Sequence, residues 1–165
     1  MLNNLKCVCD NVNLDDYLSL YGYVRDNMEH PEWLGTFERE EIIEILNVGG
    51  KIWLYYDDEK LVCSMFYIPS NKKTLMKHNV SYVENEVGFL GPVMVRPDYI
   101  GHGLQRQMMD LLDNYCKSIG KKYIFTKVCT ANEYSLNNMT NNGYAVVHEY
   151  LNERGMNSAL IKTII

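Results

Sequence analysis

The segment Val93–Gln105, reading Val-Met-Val-Arg-Pro-Asp-Tyr-Ile-Gly-His-Gly-Leu-Gln, carries the strongest chemical signal in the chain. An apolar run with strand character ends at Val95, a glycine-containing turn follows, and a periodic apolar segment with helix character begins at Leu104. Gly101 and Gly103 allow the backbone a positive φ and a close approach to a ligand. The first N–H groups of a helix have no intrahelical partner, and the helix dipole adds positive potential there, so such a turn suits a phosphate-like anion. His102, between the two glycines, either donates to that anion or faces solvent. Taken alone, Gly-x-Gly is equally a turn that joins strand to helix. The third glycine of a dinucleotide fingerprint and the Gly-Lys-Ser/Thr of a P-loop are both missing.

Little else in the sequence has the spacing of a reactive site. The five cysteines are Cys7, Cys9, Cys63, Cys116 and Cys129. Cys63 and Cys129 sit in apolar runs as small hydrophobes. Cys7-Val-Cys9 lacks the second pair or histidine that would complete a zinc site, so no metal and reduced thiols are expected. His30, His78 and His148 show no spacing with acidic residues that suggests a metal or a triad.

The elements that must position the glycine turn follow from periodicity and capping. Leu5–Cys9 reads as a first strand, and Leu14, Tyr17, Leu18 and Tyr21 recur at helical spacing behind the cap Asn13. His30–Gly35 breaks that helix; a second runs over Phe37–Leu46, with Thr36 as its start signal. Lys51–Tyr56 and Leu61–Ile68 flank the polar turn Asp57–Lys60 as a hairpin. Pro69–His78 reads as an exposed basic loop. The next strand starts within Val80–Val87 and runs to Val95, interrupted at Gly88 and at Gly91-Pro92, where a missing ladder donor predicts a bulge or splay. A helix from Leu104 to Ser118-Ile-Gly120, a strand Tyr123–Val128, a helix Glu133–Asn141 stopped by Gly143, and strands Tyr144–Tyr150 and Ala159–Ile164 complete the chain. That order predicts one α/β domain over residues 1–165, its sheet antiparallel early and parallel around the helix that begins at Leu104.

These motifs resemble the GNAT family of N-acetyltransferases, in which a strand ending Val-x-Pro-x-Tyr leads into Arg-Gly-x-Gly-x-Gly/Ala. The match is Val95-Arg-Pro-Asp-Tyr99, then Ile100-Gly-His-Gly-Leu-Gln105; Ile100 replaces the usual Arg or Gln, and Gln105 the usual small residue. A second family motif, Asn, then a small residue three later, then Gly-aromatic, fits Asn132, Ser135, Gly143 and Tyr144. The resemblance implies an acyl-CoA N-acyltransferase fold, a mixed central sheet splayed in the middle and flanked by about four helices. It implies acetyl-CoA as co-substrate and no metal. Val93, Met94 and Val95 would then line the thioester, Ile100, Gly101, His102, Gly103, Leu104 and Gln105 the pyrophosphate, Asn132 the pantetheine arm, and Ser135 and Asn138 the pyrophosphate side.

Direct transfer to an amine needs a base, a carbonyl-polarising donor and, at the leaving thiolate, an acid. A backbone N–H within Val93–Val95 is the expected donor. Glu86 is the expected base, with Glu84 second and on the same strand face; carboxylates at such a position are otherwise merely solvated. Family members often place a tyrosine where this chain has Met139, which cannot donate a proton. Tyr134 lies nearby, five residues earlier on the short helix; otherwise another tyrosine serves, or the thiolate leaves without a protein acid. Trp33, Tyr21 and Tyr23 fall where the family builds its acceptor pocket, although aromatics near helix ends are more often core.

A hydrophobic content of 47% supports a core without staples, and a net charge of −5 argues against a nucleic-acid partner. No apolar stretch is long enough to span a membrane and no targeting segment is visible, so a cytoplasmic protein is expected, as monomer or homodimer. The leading expectation is a transferase, an acetyltransferase that moves the acetyl group of acetyl-CoA to a primary amine of a small molecule or peptide. The alternatives are a catalytically weak acyl-CoA-binding module of the same fold, and an α/β domain whose glycine turn is only a connection.

Overall fold

A computed structural model describes residues 4–35, 37–82 and 84–164. The chain runs β1 (Leu5–Val8), α1 (Leu14–Asp26), α2 (Arg39–Asn47), β2 (Lys51–Asp57), β3 (Lys60–Pro69), α3 (Lys72–Lys77), β4 (Val87–Val95), α4 (Leu104–Ser118), β5 (Tyr123–Cys129), α5 (Glu133–Asn141), β6 (Ala145–Asn152) and β7 (Gly155–Thr163). The seven strands form one mixed sheet in the order β1-β2-β3-β4-β5-β7-β6. Two compact units make up the chain: residues up to Ile68 with Gly91–Leu112, and Pro69–Leu90 with Asp113 onward.

In the first unit β1, β2 and β3 pair antiparallel, and the β2–β3 turn is tighter than the sequence suggests, because Asp58 takes a left-handed φ of 55°. Asn13 caps α1 by accepting from Asp16 N at 3.1 Å. Tyr17, Leu20, Ile42, Ile52, Leu54, Phe66 and Met94 form its buried core. α2 begins at Arg39 with Glu38 and Glu41 closing a capping box; Thr36, the expected start signal, lies outside the described residues. Gly91 is required here. A Cβ at that position would stand 2.9 Å from both the Phe66 carbonyl oxygen and Ile68 Cδ1.

In the second unit β4 pairs parallel with β5 over Val87–Phe89 and Tyr123–Phe125, and β5, β7 and β6 pair antiparallel. Just past that short parallel ladder, Thr126 Oγ1 donates to the Leu90 carbonyl at 3.0 Å, a side chain in place of a backbone donor. Leu75, Val80, Val87, Phe125, Ala159 and Ile161 form the core. Asp113 accepts from Lys162 Nζ at 2.5 Å and ties the late part of α4 to β7.

Several expectations are corrected. Pro69–His78 is not a loop: Lys72–Lys77 is helical, started by Asn71, whose side chain accepts from Thr74 N, and held by burial of Leu75. Among the described residues five α-helices flank the sheet. Gly88 does not interrupt β4, since it pairs with Ile124. Glu84 and Glu86 do not share a strand face; they form a 3-10 turn ahead of β4. Val83, within the expected strand start, lies outside the described residues.

Gly91→Ala is expected to lower stability by about 1–3 kcal/mol in urea unfolding, the usual cost of overpacking against atoms that cannot move. A variant as stable as the parent would mean that β3 and β4 have room to separate.

Candidate functional site

The segment expected to cradle an anion lies in the first unit. β4 ends at Val95, Pro97–Tyr99 forms a 3-10 turn, and α4 starts at Leu104. Gly101 and Gly103 both take left-handed conformations, φ 94° and 74°, and an added Cβ at either would meet nothing within 4 Å. Glycine is therefore demanded by backbone conformation rather than by crowding, and open space lies over the turn. Ile100 and His102 are exposed. Met94 and Leu104 are buried, at 1% and 2% exposure, so their side chains belong to the core and only their backbone can serve a ligand. Val93, Val95 and Gln105 are half-buried. The geometry fits a pyrophosphate, since two left-handed glycines bring the chain into the first turn of a 15-residue helix whose leading N–H groups lack intrahelical partners.

What holds this turn in place was not visible in the motif. Arg96 N donates to the Val62 carbonyl at 2.8 Å, and its guanidinium stacks 4.0 Å from the Tyr23 ring centroid. Asp98 accepts from Lys60 Nζ at 3.2 Å and from Arg96 Nε at 3.1 Å. Desolvation works to raise the Asp98 carboxyl, but these two cations and its own backbone N–H hold it below the usual carboxylate range. Tyr99 OH donates to Asp57 Oδ2 at 3.1 Å, while Asp57 Oδ1 accepts from Asn4 N at 3.0 Å. Desolvation first, and then that donation, raise the Tyr99 phenol. The signal that could have found Asp57 and Lys60 is an acidic and a basic residue bracketing a hairpin turn, a pattern too common to single out.

The second motif lies in the second unit. Asn132 caps α5, its side chain accepting from Ser135 N at 3.2 Å, and Gly143, φ 93°, stops the helix. Asn132, Ser135 and Asn138 are half-buried. The spacing that resembles the family motif is thus also the spacing of a helix cap. Met139 is buried at 5% exposure, so the position where family members often carry a tyrosine is a core position here. Tyr134 is 66% exposed on the first turn of α5.

Glu86 lies in the second unit with its carboxylate accepting from Lys122 Nζ at 2.6 Å, and its carbonyl accepts from Lys122 N. The side-chain bond raises the Lys122 ammonium. Glu84 is exposed. Beside it, a cleft of about 430 Å³ is lined by Leu75, Met76, Val80, Tyr82 and Glu84 among others. In the first unit Trp33 stacks on His30 at 4.2 Å, and Tyr21 packs against the core. His78 and His148, seventy residues apart in sequence, come within 6.1 Å of each other.

The profile of the Acetyltransferase (GNAT) family matches residues 16–144. Among curated proteins none matches the sequence. Solved structures with the same fold include a GNAT-family acetyltransferase of Staphylococcus aureus, at 15% identity and a TM-score of 0.74, covering 98% of this chain and 100% of that one. A ribosomal-protein alanine N-acetyltransferase of Escherichia coli aligns at 12% identity and a TM-score of 0.69, covering 96% and 94%. The YncA protein of Salmonella typhimurium, solved with its cofactor acetyl-CoA, aligns at 11% identity and a TM-score of 0.71, covering 99% and 95%. At such identities the neighbours establish the fold, while the profile match spans most of the sequence. The chain belongs to the Acetyltransferase (GNAT) family.

Proposed function

We propose that residues 1–165 act as one cytoplasmic N-acetyltransferase domain that passes the acetyl group of acetyl-CoA to a primary amine of a small molecule or peptide. The observation that carries this reading is the pair of left-handed glycines opening onto the start of α4, in a chain of an acetyltransferase family. Acetyl-CoA supplies an acetyl thioester, whose carbonyl carbon accepts the amine and whose sulfur leaves as thiolate. Backbone N–H groups of Gly101–Gln105 hold the pyrophosphate, each contributing roughly 0.3–1 kcal/mol as helix-terminus contacts do. A backbone N–H within Val93–Val95 polarises the reacting carbonyl, and Asn132, Ser135 and Asn138 serve the rest of the donor.

Glu86 removes the proton from the attacking ammonium, directly or through water. Lys122 Nζ, at 2.6 Å, holds the Glu86 carboxylate in place. The acceptor amine enters by the cleft beside Glu84, whose apolar wall of Leu75, Met76, Val80 and Tyr82 suits an amine with an apolar body. A peptide terminus is in this class, as with the alanine acceptor for which the Escherichia coli neighbour is named. Tyr134 is the candidate acid. Burial of Met139 favours a second reading, in which no protein acid assists the thiolate and the domain binds acyl-CoA with weak or no turnover.

Gly103→Val is expected to weaken CoA binding at least tenfold in calorimetric titration with circular dichroism unchanged, since a β-branched residue resists φ 74°. Unaltered affinity would remove the turn as the pyrophosphate site. Glu86→Gln is expected to slow acetyl-CoA-dependent thiol release about 100-fold or more with an active amine, and to leave CoA affinity unchanged. Full activity across pH in that variant would remove Glu86 as base.

A further inference from the structure

One face of the sheet in the second unit carries cations that no carboxylate answers. Lys127 on β5 pairs with Ala159 on β7, and Ala159 with His148 on β6, so the three side chains stand in a row on one face. Phe125, two residues before Lys127, and Tyr150, two residues after His148, lie on that same face. His78, just past α3, lies against this row: its ring is 4.5 Å from Tyr150, 5.5 Å from Phe125 and 6.1 Å from His148. Its side chain is 99% buried by exposure of only 1%, and neither ring nitrogen has a hydrogen-bond partner; His148 Nδ1 also lacks one. Buried polar atoms are rarely left this way, and those that are call for an unseen water, ion or ligand.

The charges around it have one sign. Lys127 Nζ stands 5.4 Å from the Phe89 ring centroid, Lys77 immediately precedes His78, and Arg154 lies in the β6–β7 turn. Among the described residues none of these three cations forms an ion pair. Burial first, then Lys77 and Arg154, lower the Lys127 ammonium. Glu149 pairs with Ser158 and therefore alternates to the opposite face, and Glu153 is exposed in the turn. On a chain whose net charge is −5, three gathered cations without a carboxylate mark a place for an anion.

We propose that this face is an oxyanion-binding site, in which Lys77, Lys127 and Arg154 hold a phosphate or carboxylate group beside His148 and His78. Burial, then Lys127, Lys77 and His148, push the His78 imidazole down to about 4. Its folded value thus lies below the ordinary 6.5, so the neutral form is favoured by folding. Stability from this group is full above pH 6.5 and is lost as pH falls towards 4. A bound anion opposes that shift, so binding strengthens as the imidazole gains its proton.

The test is an NMR titration of the histidine Cε1–H resonances of the full chain with inorganic phosphate and, separately, succinate, against sodium chloride at matched ionic strength. Saturable shifts at His78 and His148, with His30 unmoved, are expected; His102 reports the separate glycine turn. The His78 titration midpoint should rise by about half a pH unit or more. Lys127→Ala and Arg154→Ala should each weaken binding at least fivefold. Shifts at His30 equal to those at His78 and His148, undiminished binding in both variants, or no saturation would overturn the site. A third arm uses CoA: if CoA moves His78 and His148 while phosphate and succinate do not, the cations serve the acetyl donor and the proposal falls.

Discussion

Asp57 is the constraint on which the glycine turn depends. Its carboxylate is 95% buried by an exposure of 5% and accepts from two distant segments, Asn4 N ahead of β1 and Tyr99 OH at the end of the 3-10 turn. Burying a carboxylate is costly unless it is hydrogen-bonded, so the hairpin tip demands these donors as much as they demand it. Lys60, at the other side of the same tip, reaches Asp98 and lies 5.2 Å from the Tyr99 ring centroid. The chain between Val95 and Gly101 is therefore fixed at Arg96, Asp98 and Tyr99. Only the two glycines beyond them are set by their own backbone preference.

The same strand that delivers the turn is shaped at its middle by close approach. Gly91 lets β4 run against the Phe66 carbonyl, and Pro92 then withholds a donor. One residue earlier, the parallel ladder with β5 has given way to a side-chain bond from Thr126. Irregularity here is a sequence-encoded property of β4, and it falls just ahead of Val93–Val95, the stretch expected to meet a thioester.

Charge is distributed less evenly than the net value suggests. Acidic residues outnumber basic ones in the whole chain, yet among the described residues Lys77, Lys127 and Arg154 form no ion pair, while Lys122 and Lys162 each take a carboxylate at short range. Ion pairs at exposed positions add little stability. Their arrangement matters more for what the surface attracts.

Local rules were enough for much of this protein. Asn13 announces a helix start because a side-chain oxygen can satisfy an orphan N–H three residues on. Gly101, Gly103 and Gly143 announce turns because few other residues tolerate positive φ, and the Gly-x-Gly and Asn-x-x-Ser spacings carry the family. Those signals lie within a few residues of one another, so the sequence alone determines them. Three things were decided elsewhere. The polar run Lys72–Lys77 became a helix because Leu75 found a core to enter. Glu84 and Glu86 became a 3-10 turn rather than strand, with Glu86 drawn to Lys122. Asp57 met Tyr99, and His78 met His148 and Tyr150, across forty and seventy residues of chain. Each depends on a partner brought near by the packing of other elements, and no periodicity along the chain encodes a contact made through space.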